Sequence, residues 1–236
     1  MSLSSSYKPE TMDKFFSARI DGYEDHMKES PTYEAEQAQL AEQFDVTSEP
    51  VTILDLGCGT GMEIEYILRR VPNARFVCID LCKEMLDRLE QKYAEVMDQI
   101  TIIHASYFDY DFGEEAFDYA VAAQTMHHWL YADKLQLYER VYRCLKPTGR
   151  FVVADYIVTP DEEYRLLDNY MRLKEDGLLD ENKLYHIDIP FSMHTERRVL
   201  REAGFRRVET VFEYRSIASN PSLIVAYKED AACKNE

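Results

Sequence analysis

The sequence predicts an α/β protein: a Rossmann-like, mostly parallel sheet of seven strands with helices on both faces and an antiparallel last strand. Three observations predict it. Short apolar runs bounded by turn residues alternate with amphipathic helical segments through the middle of the chain, the pattern of repeated βαβ units. Residues 51–61, VTILDLGCGTG, carry a buried strand through an acid into three glycines at alternate positions, followed by a helical pattern beginning at Met62. A second apolar run, residues 75–80, RFVCID, also closes on an acid, Asp80, 25 residues after Asp55.

Taken in order, residues 1–48 form an N-terminal helical cap. Met12, Phe15, Phe16, Ile20, Tyr23 and Met27 recur at helical spacing, as do Tyr33, Ala38, Leu40, Ala41 and Phe44. Pro31, preceded by Ser30, separates two helices, since proline suits a first helical turn and serine can cap it. The first residues, MSLSSS, lack the basic start and apolar block of a signal peptide and read as a scar or frayed terminus.

Residues 49–160 make the core. After the first strand and its glycine turn, Ile64, Ile67, Leu68 and Val71 define a helix that Pro72 ends. Met85, Leu86, Leu89, Tyr93 and Met97 mark a second helix after the second strand. Residues 100–105 and 117–123 supply the third and fourth strands, and the fourth runs into QTMHHW. Leu137, Tyr138, Val141, Tyr142 and Leu145 place another helix, which LKPTG ends before a strand at 150–156. Residues 161–194 are a lid-like insertion: a helix over 161–179, then the aromatic tract YHIDIPFSM. Residues 195–228 hold a helix that Gly204 ends and two antiparallel strands, 208–214 and 222–227; residues 229–236 are a disordered tail. The whole is one domain.

Composition narrows the function classes. Lys plus Arg total 27 against 44 Asp plus Glu, a net charge of −17, and a field of that sign repels phosphate backbones, so no stable nucleic-acid binding is expected. The arginines between 197 and 207 are interleaved with acids and read as a solvated face. No apolar run approaches the roughly 20 residues of a membrane span, and the protein reads as cytoplasmic. The five cysteines form an odd set without CxxC spacing, which supports neither disulfides nor a zinc knuckle.

Open α/β sheets bind ligands outside the carboxyl ends of their strands, so the residues just after each strand are the site candidates. They are 55–61, Asp80 with Leu81, Ser106 with Tyr107, 124–129, and Asp155 with Tyr156. Glycines in such a turn let a ligand approach the backbone, and an acid ending the second strand can accept hydrogen bonds from both hydroxyls of a ribose.

ILDLGCGTG, the acid of CID, FDYAVAAQTMHHW and LKPTGRFVVAD together resemble a class I S-adenosylmethionine-dependent methyltransferase, four motifs in order across residues 51–156. GCGTG lacks the third-glycine spacing of GxGxxG pyrophosphate binders, which disfavours an NAD enzyme. The resemblance implies S-adenosyl-L-methionine as cofactor and S-adenosyl-L-homocysteine as product. Gly57, Cys58 and Gly59 would pass close to the methionine portion, with Asp55 beneath ordering the loop. Asp80 would hold the ribose, Leu81 and Met85 would flank the adenine, and Ser106 and Tyr107 would meet its amino group. The family commonly has an acid at the Ser106 position, so that contact loses a charge. Gln124 would lie under the sulfonium, and Tyr23 would close the pocket from the cap.

Methyl transfer requires alignment and at most one proton acceptor. His127 and His128 after the fourth strand, Asp155 on the sheet's rim, and His186 with Asp188 are the candidate bases. The same histidines with Asp188 suit a divalent metal, but HHW and YHID lack the i, i+4 spacing of a helical zinc motif, and no metal is expected. Residues 185–191, with Tyr23, His26 and Tyr33, form a lid or acceptor pocket. The added segments are aromatic rather than cationic, which points to a small-molecule acceptor; a homodimer is compatible with the sequence. Two alternatives remain. The N-terminal helices and SLIVAYKEDAA also resemble carboxy-S-adenosylmethionine synthase of tRNA wobble-uridine modification, a family that needs an arginine where this chain has Val199, beside Arg198. A non-catalytic cofactor-binding protein is the other.

Overall fold

The computed structural model describes residues 8–214 and 220–229; the expectations for the N-terminal scar and for tail residues 230–236 lie outside them. The elements in chain order are α1 (Met12–Ser17), α2 (Tyr23–Lys28), α3 (Tyr33–Ala41), β1 (Thr52–Leu56), α4 (Ile64–Arg70), β2 (Arg75–Asp80), α5 (Lys83–Lys92), β3 (Ile100–His104), β4 (Phe117–Ala123), α6 (Tyr131–Cys144), β5 (Leu145–Tyr156), α7 (Pro160–Glu175), α8 (Met193–Glu202), β6 (Arg207–Glu213) and β7 (Pro221–Tyr227). Among the described residues no helix is long and apolar enough to cross a membrane.

The seven strands form one sheet in the order β3-β2-β1-β4-β5-β7-β6. β1 pairs in parallel with both β2 and β4, and β7 runs antiparallel to both β5 and β6, as the sequence predicts. The strand order reverses between β1 and β4, which opens a crevice at their carboxyl ends. Alternation along β1 decides which face each side chain meets: Ile53 enters a core with Leu40, Ile64 and Ile67, while Leu54 and Leu56 enter another with Leu137, Val141 and Leu200. Both faces are buried, which is why β1 reads as a continuous apolar run rather than an alternating one.

Three local expectations shift. The cap has three short helices instead of two, because Gly22 adopts φ +85 and opens α2, breaking a hydrophobic pattern that runs on across it. The helix through Met97 stops at Lys92 and is followed by a 3₁₀ stretch, Ala94–Gln99. β5 starts at Leu145, but Phe117 pairs with Leu145 and Tyr119 with Arg150, so Lys-Pro-Thr-Gly bulges out of the ladder. Pro147 has no N–H for that ladder, and a Cβ on Gly149 would come within 2.9 Å of the Lys146 carbonyl oxygen.

The segment before β6 is tied down at both ends. Thr159 and Glu162 form a reciprocal capping box at the start of α7, with Pro160 as its first residue. Ser192 caps α8 by accepting from the Thr195 backbone N–H. Lys134 and Tyr138 of α6 donate to the buried Glu196 of α8 at 2.6 and 2.5 Å, an ion pair whose desolvation is offset by a second hydrogen bond.

Candidate functional site

The glycine turn leaves β1 with backbone bonds of its own. Gly57 and Cys58 both donate to the Ile79 carbonyl of β2, at 2.8 and 3.2 Å, and Gly61 donates to Cys58. Gly57 has φ +68, and a Cβ there would meet Thr125 Oγ1 at 2.3 Å, so the turn is pressed against the loop after β4. Gly59 has φ +51 and open space where its Cβ would be, on the side of a cavity it lines. Asp80 Oδ2 accepts from Gly59 N and Oδ1 from Cys82 N, both at 2.8 Å; this one carboxylate orders both the turn and the entry to α5. Burial raises its pKa against those two bonds.

Asp55 is placed differently from expectation. It is fully buried and does not line the cavity, and the loop's N–H groups go to Ile79 and Asp80 instead. Burial followed by the charge of Glu63 pushes its pKa well up, and the two carboxyls are joined by a hydrogen bond that places the proton on Asp55. Glu63, which the sequence reading passed over, lines the cavity and is raised by burial as well.

This first cavity is lined by every other residue expected around the cofactor: Tyr23, Gly57, Cys58, Gly59, Asp80, Leu81, Met85, Ser106, Tyr107 and Gln124. Met12, Phe16, Met27 and Tyr33 of the cap cover it. Tyr107 OH lies 3.2 Å from Thr125 Oγ1 and accepts from Trp129 Nε1 at 2.5 Å, which locks the loops after β3 and β4 together.

Gln124 joins the first cavity to a second. It is a non-glycine residue at φ +55, a conformation that costs of order 1–3 kcal/mol and persists only where the surroundings impose it. Its N–H is held by the Ala154 carbonyl of β5 at 2.8 Å. Its side-chain Oε1 is buried without a partner, a polar atom aimed where a ligand would satisfy it. Phe16, Tyr23, Met27 and His128 are likewise shared by the two cavities.

The second cavity gathers His26, His127, His128, Tyr156, His186 and Asp188. His127 and His128 sit on a 3₁₀ turn, Met126–His128, that Asp155 fastens: Asp155 Oδ2 accepts from Met126 N and His127 N at 2.7 and 3.0 Å, and Oδ1 lies 2.6 Å from His127 Nδ1. Asp155 therefore lines neither cavity and, unlike the expected base, is fully engaged in holding the turn. Burial, then the neighbouring His127, lowers the His128 pKa to about 4, leaving it neutral at physiological pH. Burial lowers His186 as well.

The aromatic tract divides. His186 and Asp188 reach the second cavity, whereas Tyr185 does not, and Ile189 and Phe191 turn into the protein's interior. Backbone bonds stitch the tract to the cap and to the histidine turn: Met12 N to Leu184 O, His186 N to Glu10 O and Ile189 N to His127 O, at 2.9, 3.0 and 2.8 Å.

Comparison with known proteins places this geometry. Residues 53–149 match the methyltransferase domain family. The chain is 25% identical over 219 residues to the carboxy-S-adenosyl-L-methionine synthase of Wolinella succinogenes, covering 86% of this chain and 90% of that one. It is 26% identical over 194 residues to the O-methyltransferase cnsE of Penicillium expansum, covering 80% and 65% of the two chains. Among solved structures, phosphoethanolamine N-methyltransferase 2 of Haemonchus contortus, in complex with S-adenosyl-L-methionine, superposes with a TM-score of 0.69 at 15% identity, covering 92% of this chain and 60% of that one.

Proposed function

We propose that the chain, whose residues 53–149 match the methyltransferase domain family, is a class I S-adenosylmethionine-dependent methyltransferase that methylates a small-molecule acceptor seated in the second cavity. The observation that carries this reading is the pair of abutting cavities joined at Gln124 and His128, one walled by the glycine turn and Asp80, the other by imidazoles and aromatic rings. The first cavity fits the cofactor: Gly59 leaves room where any other side chain would intrude, and Gln124 Oε1 awaits a partner.

In this reading Gly57, Cys58 and Gly59 hold the methionine portion and Asp80, with lone pairs left after its two backbone bonds, accepts from the ribose hydroxyls. Leu81 and Met85 flank the adenine, Ser106 and Tyr107 lie at its edge, and Tyr23 covers the pocket. The bound cofactor supplies an activated sulfonium methyl group. The protein's work is alignment: His128 and Gln124 meet the acceptor where the cavities join, His127 and His186 line its chamber, and Asp155 is a positioning residue that fixes His127. Cap residues 8–48 and insertion 161–194 close the chamber, excluding water from the transfer. The charge of −17 suits a neutral or cationic small molecule rather than a nucleic acid.

The similarity to a carboxy-S-adenosyl-L-methionine synthase over 86% of the chain favours a second reading, formation of a carboxylated cofactor. It is the weaker one. Among the described residues lining the first cavity none is lysine or arginine, Val199 is buried in the core, and Arg198 faces outward onto Tyr131 and Glu202. A methyl-release assay across metabolite pools, paired with the mass of any co-purifying ligand, tests both. Methylated product with His128→Ala turnover reduced about 10²-fold and cofactor affinity kept is expected. A ligand heavier than the methyl donor by a carboxylate would replace the first reading with the second.

A further inference from the structure

Three imidazoles in the second cavity converge on one carboxylate oxygen. His128 Nδ1, His127 Nε2 and His186 Nε2 lie 3.2, 3.7 and 3.9 Å from Asp188 Oδ1. Ligand atoms of His127, His128 and Asp188 all fall within 4.8 Å of one another. A four-coordinate ion bound at about 2.0–2.2 Å separates its ligand atoms by roughly 3.3 Å; the contacts of His128 and His127 with Asp188, at 3.2 and 3.7 Å, are already near that value, and the widest spacing, up to 4.8 Å, must contract by about 1.5 Å as the ion binds.

The surroundings add a second observation. His127 Nδ1 points at Asp155 Oδ1 at 2.6 Å, and Asp155 also receives two backbone N–H groups of the same turn. With Nδ1 turned to Asp155, the ring of His127 directs its Nε2 at the Asp188 carboxylate, 3.7 Å away. A carboxylate behind a histidine is also the arrangement that orients imidazole ligands toward metals and raises their basicity. His186 is held independently, its ring stacked on Phe15 at 3.4 Å and 7°.

We propose that His127 Nε2, His128 Nδ1 and Asp188 bind a divalent first-row transition ion, with His186 at its edge and open coordination positions facing the second cavity. Two imidazoles and one carboxylate are a nitrogen–oxygen donor set suited to such ions. The expectation of no metal came from the missing helical spacing, but these ligands come from two separate loops, where that spacing does not apply. The ion would hold an acceptor through a hydroxyl, carbonyl or carboxylate oxygen and ease loss of its proton; that extension alone rests on the methyl-transfer reading.

The test uses the full chain stripped with chelator and then titrated with Co²⁺ and Zn²⁺, followed by visible absorption and calorimetry. One ion per chain with micromolar or tighter affinity is expected. Asp188→Asn should weaken it at least 10-fold, and Asp155→Asn, which acts by holding His127 Nδ1 and the Met126–His128 turn rather than as a ligand, by 10–100-fold. Cofactor affinity, measured in parallel, reports that each variant is folded. Cu²⁺ paramagnetic resonance on the unmutated chain needs no variant at all and should show two imidazole nitrogens. No binding below millimolar metal, binding unchanged in both variants, or a copper spectrum without imidazole nitrogen overturns the proposal. Because metal affinity is read without turnover, failure to find a methyl acceptor leaves this result standing, and the two readings fail separately.

Discussion

The first cavity takes its polar floor from residues 57–63, packed on the neighbouring strand ends, whereas the second draws its polar groups from the cap and from two loops, around His127 and Asp188, that lie far apart in the chain. In the first, backbone does most of the work: glycine N–H groups are satisfied by Ile79 and Asp80, and the ligand space exists because side chains are missing. In the second, side chains do the work, and Asp155 is spent on holding them. The difference teaches that a pocket built on a strand-to-helix turn tolerates little change, while a pocket built on loops can be rewritten one side chain at a time.

The largest expected effect breaks the first half at its tightest point. Gly57→Ala must adopt φ +68 and drive a methyl group into Thr125 Oγ1 at 2.3 Å. Left-handed strain and overpacking together predict a loss of about 2–5 kcal/mol, read by urea unfolding. Gly59→Ala separates the two roles of glycine in the same turn. It carries the left-handed cost of about 1 kcal/mol, but its Cβ enters open cavity, so its main effect should be on cofactor affinity. Equal loss of stability in both variants would show that Thr125 yields.

Asp80→Ala comes next. Removing an acceptor shared by Gly59 N, Cys82 N and the proposed ribose should weaken S-adenosylmethionine binding by about 1–3 kcal/mol in calorimetry. Affinity unchanged from wild type would place the ribose elsewhere. The same substitution has no direct contact with the imidazole cluster, so metal affinity should stay constant, a check that the two halves are separable.

The same contrast governs what could be read beforehand. β1, β2 and β4 and the residues at their ends were legible because a doubly buried strand and an alternate-glycine turn leave contiguous marks. Ten of the eleven residues named for the cofactor line the first cavity, and the exception, Asp55, is one whose neighbour Glu63 lies eight positions on. The second cavity was legible only as residue types. Nothing in HHW announces that Asp155 is consumed by the turn, nor in QTM that Gln124 takes φ +55, since both follow from where β5 runs beside β4. Gly22 broke the cap for a similar reason: the apolar spacing continues through a position where the backbone does not.

The smallest expected effect tests the chemistry beneath the glycine turn. Asp55 and Glu63 are both buried, and burial raises both pKa values. Each acid binds its proton more tightly folded than unfolded, where carboxyls titrate near 4, so the stability it contributes is present below that value and lost as pH rises through the folded pKa. His128, lowered to about 4 by burial and by His127, runs the other way and loses stability as pH falls from about 6.5. Glu63→Gln removes one acid from the first half alone. As pH rises above the ordinary carboxyl range it should flatten the decline in unfolding free energy of the cofactor-free protein, while leaving the loss of stability that His128 contributes below about 6.5 where it was. Parallel curves for variant and wild type would mean that Glu63 is ionised in the folded protein, and that the turn's floor carries a charge that Asp55 must balance by holding the proton alone.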